Sequence, residues 1–80
     1  MIDEQALKQL MATVLRVPAD AITHNSSMDN LETWDSLKHM NLVLALEEEF
    51  NVSIPDEDAG NITSYALIKT VLDELLEGRQ

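Results

Sequence analysis

Apolar residues recur at helical spacing along three long segments of the chain. The spacing predicts helices from about Asp3 to Leu15, from about Ser36 to Phe50 and from about Ser64 to Glu77. In the first helix, the apolar face consists of Leu7, Leu10, Met11 and Val14. In the last helix, it consists of Tyr65, Ile68, Leu72, Leu75 and Leu76. Each of these two helices can therefore bury one face against its neighbours.

Residues at the ends of the segments support these boundaries. Asp35 and Thr63 precede the second and last helices, where a side-chain oxygen can cap a free backbone N–H, and Gly78 closes the last helix. Pro55 is followed by three acidic residues, a sequence typical of a helix start. It predicts a short helix over about 56–60.

A connection without helical periodicity, residues 16–34, separates the first two helices. Connections of this length are unusual in small domains and are often functional. The apolar residues that we expect to pin it across the helices are Val17, Ile22, Met28 and Leu31. Three long helices and one short helix predict an all-α fold, a small four-helix bundle with a long first loop.

The second helix carries apolar residues on two sides. Its core side, at about 100° per residue, consists of Leu42, Val43, Leu46 and Phe50. The opposite side consists of Leu37, Met40 and Leu44, with Asn41 and Glu48 close to them and Glu47 at the flank. One reading is a helix that is buried all round, but a chain of this size offers little core for that. We favour an exposed docking surface, whose apolar centre supplies affinity and whose carboxylates steer a partner.

The charge of the chain narrows the class of partner. Fifteen Asp and Glu face five Lys and Arg, which gives a formal net charge of −10. Nucleic acids and anionic membrane surfaces are therefore disfavoured as partners. No Lys or Arg lies between Lys38 and Lys69, and this acidic stretch either aids solubility or steers basic partner proteins. Composition leaves both readings open.

Length and composition add further expectations. A chain of 80 residues predicts a single domain, residues 1–80, and we expect it to be a monomer. It has no cysteine, and no apolar run approaches the ~20 residues that a membrane span requires. The acidic N-terminal segment does not resemble a secretory signal, so we expect a cytoplasmic protein.

Ser36, at a predicted helix start, is the candidate for chemistry, but its surroundings do not favour catalysis. His39 lies three residues on, yet a catalytic triad is defined by geometry and not by spacing. There is no Gly-x-Ser-x-Gly turn, no glycine-rich oxyanion loop and little room for a substrate cleft. Asp56 and Asp58 resemble part of a calcium loop, but Leu67 stands where its bidentate glutamate should be. We therefore expect no enzyme, no catalytic residue and no metal site.

The sequence resembles the acyl carrier protein family over essentially its whole length, and most closely over about residues 35–65. The family's Asp-Ser-Leu signature stands at 35–37, and the acidic run at 45–50 reads ALEEEF. The segments Ile54-Pro55-Asp56 and Ile62-Thr63 also match. An isolated serine at a helix start would be read as a cap or a solvated hydroxyl, and the matching context reverses that reading.

The resemblance implies that Ser36 receives a 4′-phosphopantetheine arm, with Asp35 and Leu37 beside it. A phosphopantetheinyl transferase attaches the arm, whose thiol then holds an acyl group as a thioester. Acyl-loading and acyl-processing enzymes with basic patches would be the other partners. The implied partner-binding residues are Leu37, Met40, Asn41, Leu44, Glu47 and Glu48. Family members also fold a fatty chain into the core, and the implied walls of a shallow or expandable pocket are Val43, Leu46, Phe50, Ile62 and Ile68.

The segment around the signature also departs from the housekeeping fatty-acid carriers. Those usually have an acidic residue after Asp-Ser-Leu and a glycine-containing segment before it, whereas here Lys38 and His39 follow and Trp34 precedes. A cation and a bulky aromatic would then flank the arm, which indicates a carrier for a specialised fatty-acid, lipid or polyketide pathway. Two alternatives stay open: an aminoacyl or peptidyl carrier, and an unmodified helical adaptor.

Overall fold

The computed structural model describes residues 3–78, which contain three long α-helices and one short one. They are α1 (Glu4–Leu15), α2 (Ser36–Phe50), α3 (Asp56–Asn61) and α4 (Tyr65–Glu77), with a 3-10 turn at Ala19–Ala21. The predicted all-α fold with a long first loop is confirmed. Each predicted helix boundary lies within one residue of the observed one, because caps and apolar periodicity mark the ends of the long helices and Pro55 precedes the short one.

Side-chain caps begin the three long helices. Oδ1 of Asp3 accepts hydrogen bonds from the N–H groups of Gln5 and Ala6, at 3.0 and 3.3 Å. Oδ1 of Asp35 accepts from the N–H of Lys38 at 2.9 Å, so the predicted cap of α2 is confirmed. These bonds satisfy backbone N–H groups that have no partner within the helix.

The predicted cap of α4 is wrong by one residue. Oγ of Ser64, not the side chain of Thr63, accepts from the N–H of Leu67 at 3.2 Å. The carbonyl of Thr63 instead accepts the N–H of Met28, and this pairing holds Thr63 outside the helix. Gly78 ends α4 as predicted, but its φ of −76° is not the left-handed conformation that glycine commonly supplies at helix ends.

The core draws on every helix and on the loops between them. Its buried members are Leu7, Met11, Leu15, Ile22, Trp34, Leu42, Leu46, Ile54, Ile62, Tyr65, Ile68 and Leu72. The predicted apolar faces of the first and last helices are confirmed, with Leu10, Val14, Leu75 and Leu76 partly buried at the edge of this core.

The loop between α1 and α2 is pinned to the core as predicted. Ile22 is buried, and Val17, Met28 and Leu31 pack against the core from the side. Backbone pairing adds to this anchoring, because the N–H of Tyr65 donates to the carbonyl of Ser26 at 2.9 Å. The loop is therefore an ordered part of the bundle that leads the chain to the start of α2.

A buried tyrosine links the first and last helices. The hydroxyl of Tyr65 donates to Oε1 of Glu4 at 2.9 Å, and the same carboxylate oxygen lies 3.7 Å from Nε2 of His24. Burial, followed by the hydrogen bond to Glu4 and the charge of Glu4, raises the pKa of Tyr65 well above its ordinary value.

Within residues 3–78, no helix is both long and apolar enough to cross a membrane.

Candidate functional site

Ser36 is the first residue of α2 and is exposed at the surface. The cap made by Asp35 fixes the helix start just before it, through the bond to the N–H of Lys38. No hydrogen bond within the described residues 3–78 holds the Ser36 hydroxyl. This position offers an accessible oxygen at the positive end of a 15-residue helix, where the helix dipole favours an attached anionic group such as a phosphate.

The exposed apolar strip of α2 (Leu37, Met40 and Leu44) begins next to Ser36. These side chains are 68%, 65% and 59% exposed, whereas Leu42 and Leu46 on the opposite side are fully buried. The prediction of two apolar sides is therefore confirmed, and a helix buried all round is excluded. Three large apolar side chains exposed in a row on one helix are typical of an interaction surface.

The predicted polar partners of this strip differ in their surroundings. Asn41 and Glu48 are exposed. Glu47 is half-buried, and its Oε2 accepts the N–H of Ile54 at 2.7 Å. One carboxylate oxygen of Glu47 thus organises the loop after α2, so Glu48 is the more accessible of the two carboxylates.

A groove of about 300 Å³ lies between α2 and α3, within a few residues of Ser36. We call it the α2–α3 groove, and its lining residues are His39, Met40, Val43, Leu44, Asp56, Ala59 and Gly60. A side-chain carbon placed on Gly60 would meet nothing within 4 Å, so this wall is open. The groove is mainly apolar, and its size and position fit a flexible arm or short apolar chain attached at the helix start.

Only part of the predicted pocket wall borders this groove. Val43 lines it, whereas Leu46, Ile62 and Ile68 are completely buried among core side chains. Phe50 is half-buried at the core edge. The α3 residues Ala59 and Gly60 were missed, because a helix of six residues has too few positions for its periodicity to reveal which side faces α2.

The aromatic before Ser36 does not flank the site as the sequence suggested. Trp34 is only 2% exposed and belongs to the core. Its indole Nε1–H donates to Nδ1 of His39 at 3.1 Å, and the two rings are stacked at 6.1 Å between centroids. Burial of a large apolar ring lowers the free energy of the folded state, so the side chain of Trp34 packs into the core although Ser36 nearby is exposed.

Comparisons with known proteins agree with this geometry. Residues 5–72 match the family model described as a phosphopantetheine attachment site. The fold is similar to that of a holo acyl carrier protein from Geobacter metallireducens solved by solution NMR, with a TM-score of 0.79 at 23% identity. That similarity covers 94% of this chain and 91% of the other. The chain therefore belongs to the phosphopantetheine attachment family, a family of carrier domains that bear a covalently attached 4′-phosphopantetheine, and it has the fold of an acyl carrier protein.

Proposed function

We propose that Ser36 carries the 4′-phosphopantetheine arm and that the protein presents acyl groups on this arm to partner enzymes. The observation that supports the proposal most directly is the exposed Ser36 at the first position of α2. The exposed apolar strip and the α2–α3 groove both start within a few residues of it. Within residues 3–78, no other serine is the first residue of a long helix and also lies close to this strip and this groove.

The arm, when attached, supplies a thiol that holds the acyl group as a thioester. The residues of this chain position the Ser36 hydroxyl to which the arm is attached. Asp35 holds the start of α2, so the Ser36 hydroxyl projects where a transferase can reach it. The helix dipole of α2 favours the negative charge that attachment brings to this end.

Partner enzymes would dock on the apolar strip of α2, with Leu37 closest to the arm. Burial of Leu37, Met40 and Leu44 supplies affinity, and Asn41, Glu47 and Glu48 supply polar and charged contacts at the rim. A basic patch on a phosphopantetheinyl transferase or an acyl-processing enzyme complements this acidic rim. Such partners bind briefly and one after another. Weak binding is sufficient, because the tethered cargo is at high local concentration once a partner has docked.

The cargo itself would enter along the α2–α3 groove. Val43 is the residue of the predicted pocket wall that lines this groove. Leu46, Ile62 and Ile68 are packed in the core, so a longer chain that enters the core would have to separate them. A pocket of this kind favours short acyl groups or cargo that remains at the surface.

The residues that follow Ser36 support a specialised pathway over bulk fatty-acid synthesis. Lys38 stands where housekeeping carriers usually have an acidic residue, so generic synthase enzymes would meet a different charge beside the arm. We therefore expect poor elongation of acyl groups on this protein by generic fatty-acid synthase enzymes. Efficient elongation would contradict the specialised role and leave the carrier role intact.

Intact mass spectrometry tests the attachment of the arm. The unmodified protein is incubated with coenzyme A, Mg²⁺ and a phosphopantetheinyl transferase of broad specificity. We expect a mass gain of one phosphopantetheine group for the wild type and none for Ser36→Ala. Ser53→Ala is the matched control, because Ser53 is also exposed but lies in the loop after α2, and it should gain the group normally. A wild type without any gain would favour an unmodified adaptor that docks through the apolar strip.

A further inference from the structure

His39 joins three parts of the molecule at the edge of the α2–α3 groove. Its ring Nδ1 lies 3.1 Å from Nε1 of Trp34, which comes from the loop before α2. Its ring Nε2 lies 2.7 Å from the carbonyl oxygen of Ala59, which comes from α3. One side chain of α2 therefore contacts both the segment that leads to Ser36 and the opposite wall of the groove.

The partners of the ring define its protonation. An indole N–H can only donate, so Nδ1 must accept, and a backbone carbonyl can only accept, so Nε2 must donate. Only the neutral imidazole with its proton on Nε2 satisfies both bonds. A second proton on Nδ1 would face the Trp34 N–H, and this donor would then lose its acceptor in the interior of the protein.

We propose that neutral His39 is a positioning residue, which holds α3 and the loop before Ser36 in place against α2 and so sets the shape of the groove that receives the arm and its cargo. This inference rests on the proposed attachment of the arm at Ser36. Without this ring, the loop before Ser36 loses one bond to α2 and α3 loses another.

The single tryptophan gives a direct readout of the loop bond. We expect the indole N–H of the unmodified protein to exchange with solvent about fivefold faster in His39→Leu than in the wild type at neutral pH, because that variant leaves the donor without its acceptor. His39→Gln, whose amide oxygen can accept, should restore much of the protection. His24→Gln is the matched control for the exposed histidine, and its indole N–H should exchange as in the wild type. An indole N–H that exchanges equally fast in the wild type and in His39→Leu would overturn the proposal.

Hydrogen exchange tests whether the ring holds α3. The amide N–H groups of Ala59 and Ile62 bond to the carbonyls of Pro55 and Asp58 at the two ends of α3. In His39→Leu, we expect these amides to exchange about fivefold faster at neutral pH, the factor expected for one lost hydrogen bond of ordinary strength. His39→Gln should restore much of the protection, since its amide can donate to Ala59. Unchanged exchange in α3, or an equal increase throughout α4, would contradict a positioning role.

The link to the arm is tested by transferase kinetics at Ser36. We expect His39→Leu to raise the KM for the carrier about fivefold with kcat retained, and His39→Gln to behave more like the wild type. A His39→Leu variant that is loaded as well as the wild type would overturn the link between His39 and the arm. A wild type that is never loaded would overturn the proposed function. The exchange rates of the indole N–H and of the α3 amides would still show whether His39 ties the three segments together.

Discussion

At the scale of single residues, Tyr65 has the clearest consequence for stability. Its hydroxyl donates a hydrogen bond to Glu4, which lies far away in the sequence. Burial is the main cause of the raised pKa of Tyr65. Because the pKa is higher in the folded than in the unfolded state, the unfolded chain loses the tyrosine proton first. The contribution of Tyr65 is therefore complete below about pH 10, the ordinary pKa of tyrosine, and is lost as the pH rises further.

We accordingly expect the free energy of unfolding, measured by urea denaturation, to fall between about pH 9.5 and about pH 11. Tyr65→Phe should be less stable than the wild type at neutral pH by about 1 kcal/mol, since it lacks the bond to Glu4. It should also lose less stability over the alkaline range. Lysines titrate in the same range, so the difference between the two proteins is the informative quantity. An identical alkaline loss in both would contradict the role of Tyr65.

Residue-level chemistry was predictable where it depended on close neighbours in the sequence. Asp35 was correctly predicted as a cap because a capping side chain reaches a backbone N–H only a few residues away. Thr63 and Ser64 are both good cap residues, and sequence alone could not separate them. The bond from Met28 to the Thr63 carbonyl decides between them, and it joins residues far apart in the chain. The burial of Trp34 was not predictable for the same reason, because its bond to His39 depends on how the whole chain packs.

At the scale of elements, the two sides of α2 have different tasks. Leu42 is completely buried, and Leu44 is 59% exposed only two residues further on. We expect Leu42→Ala to lower the free energy of unfolding by about 2–5 kcal/mol, because it leaves a cavity in a packed core. Leu44→Ala should change it by less than about 0.5 kcal/mol. Urea denaturation of both variants measures these values.

The same pair of variants separates folding from docking. Leu44→Ala should raise the KM of the transferase for the carrier, since an exposed apolar contact with the partner is lost. Its kcat should be retained if the Ser36 end of the helix is undisturbed. A strongly destabilised Leu44→Ala, or one that docks normally, would show that this side of α2 is not an interaction surface.

The sequence predicted the sides of α2 but not the groove beside it. Fifteen residues give several turns of periodicity, which is enough to reveal two apolar sides. The groove depends on where α3 lies, and α3 is held partly by the bond between His39 and Ala59, which are 20 residues apart. Contacts of this kind leave no periodic trace, so the sequence did not predict the groove, and Leu46, Ile62 and Ile68 of the predicted pocket wall lie in the core and do not line it.

At the scale of the whole molecule, the net charge of −10 acts over the entire fold. The molecule measures 36 × 24 × 20 Å. At about 0.01 M salt, the screening length is about 30 Å, so nearly every pair of charges interacts. At about 0.1 M salt it falls to about 10 Å, and only neighbouring charges interact. Since unfolding moves the charges apart, unscreened repulsion destabilises the compact state.

Stability should therefore rise with salt, and mostly between about 0.01 and about 0.1 M NaCl, where the screening length passes through the dimensions of the molecule. Thermal or urea unfolding of the unmodified protein at several salt concentrations measures this. The double variant Glu48→Gln, Glu49→Gln removes two exposed carboxylates and changes the net charge from −10 to −8. It should be more stable than the wild type at low salt and respond less to added salt. A stability that stays constant or falls over this range would mean that local pairing, such as that between Lys69 and Asp73, outweighs the repulsion of the whole molecule.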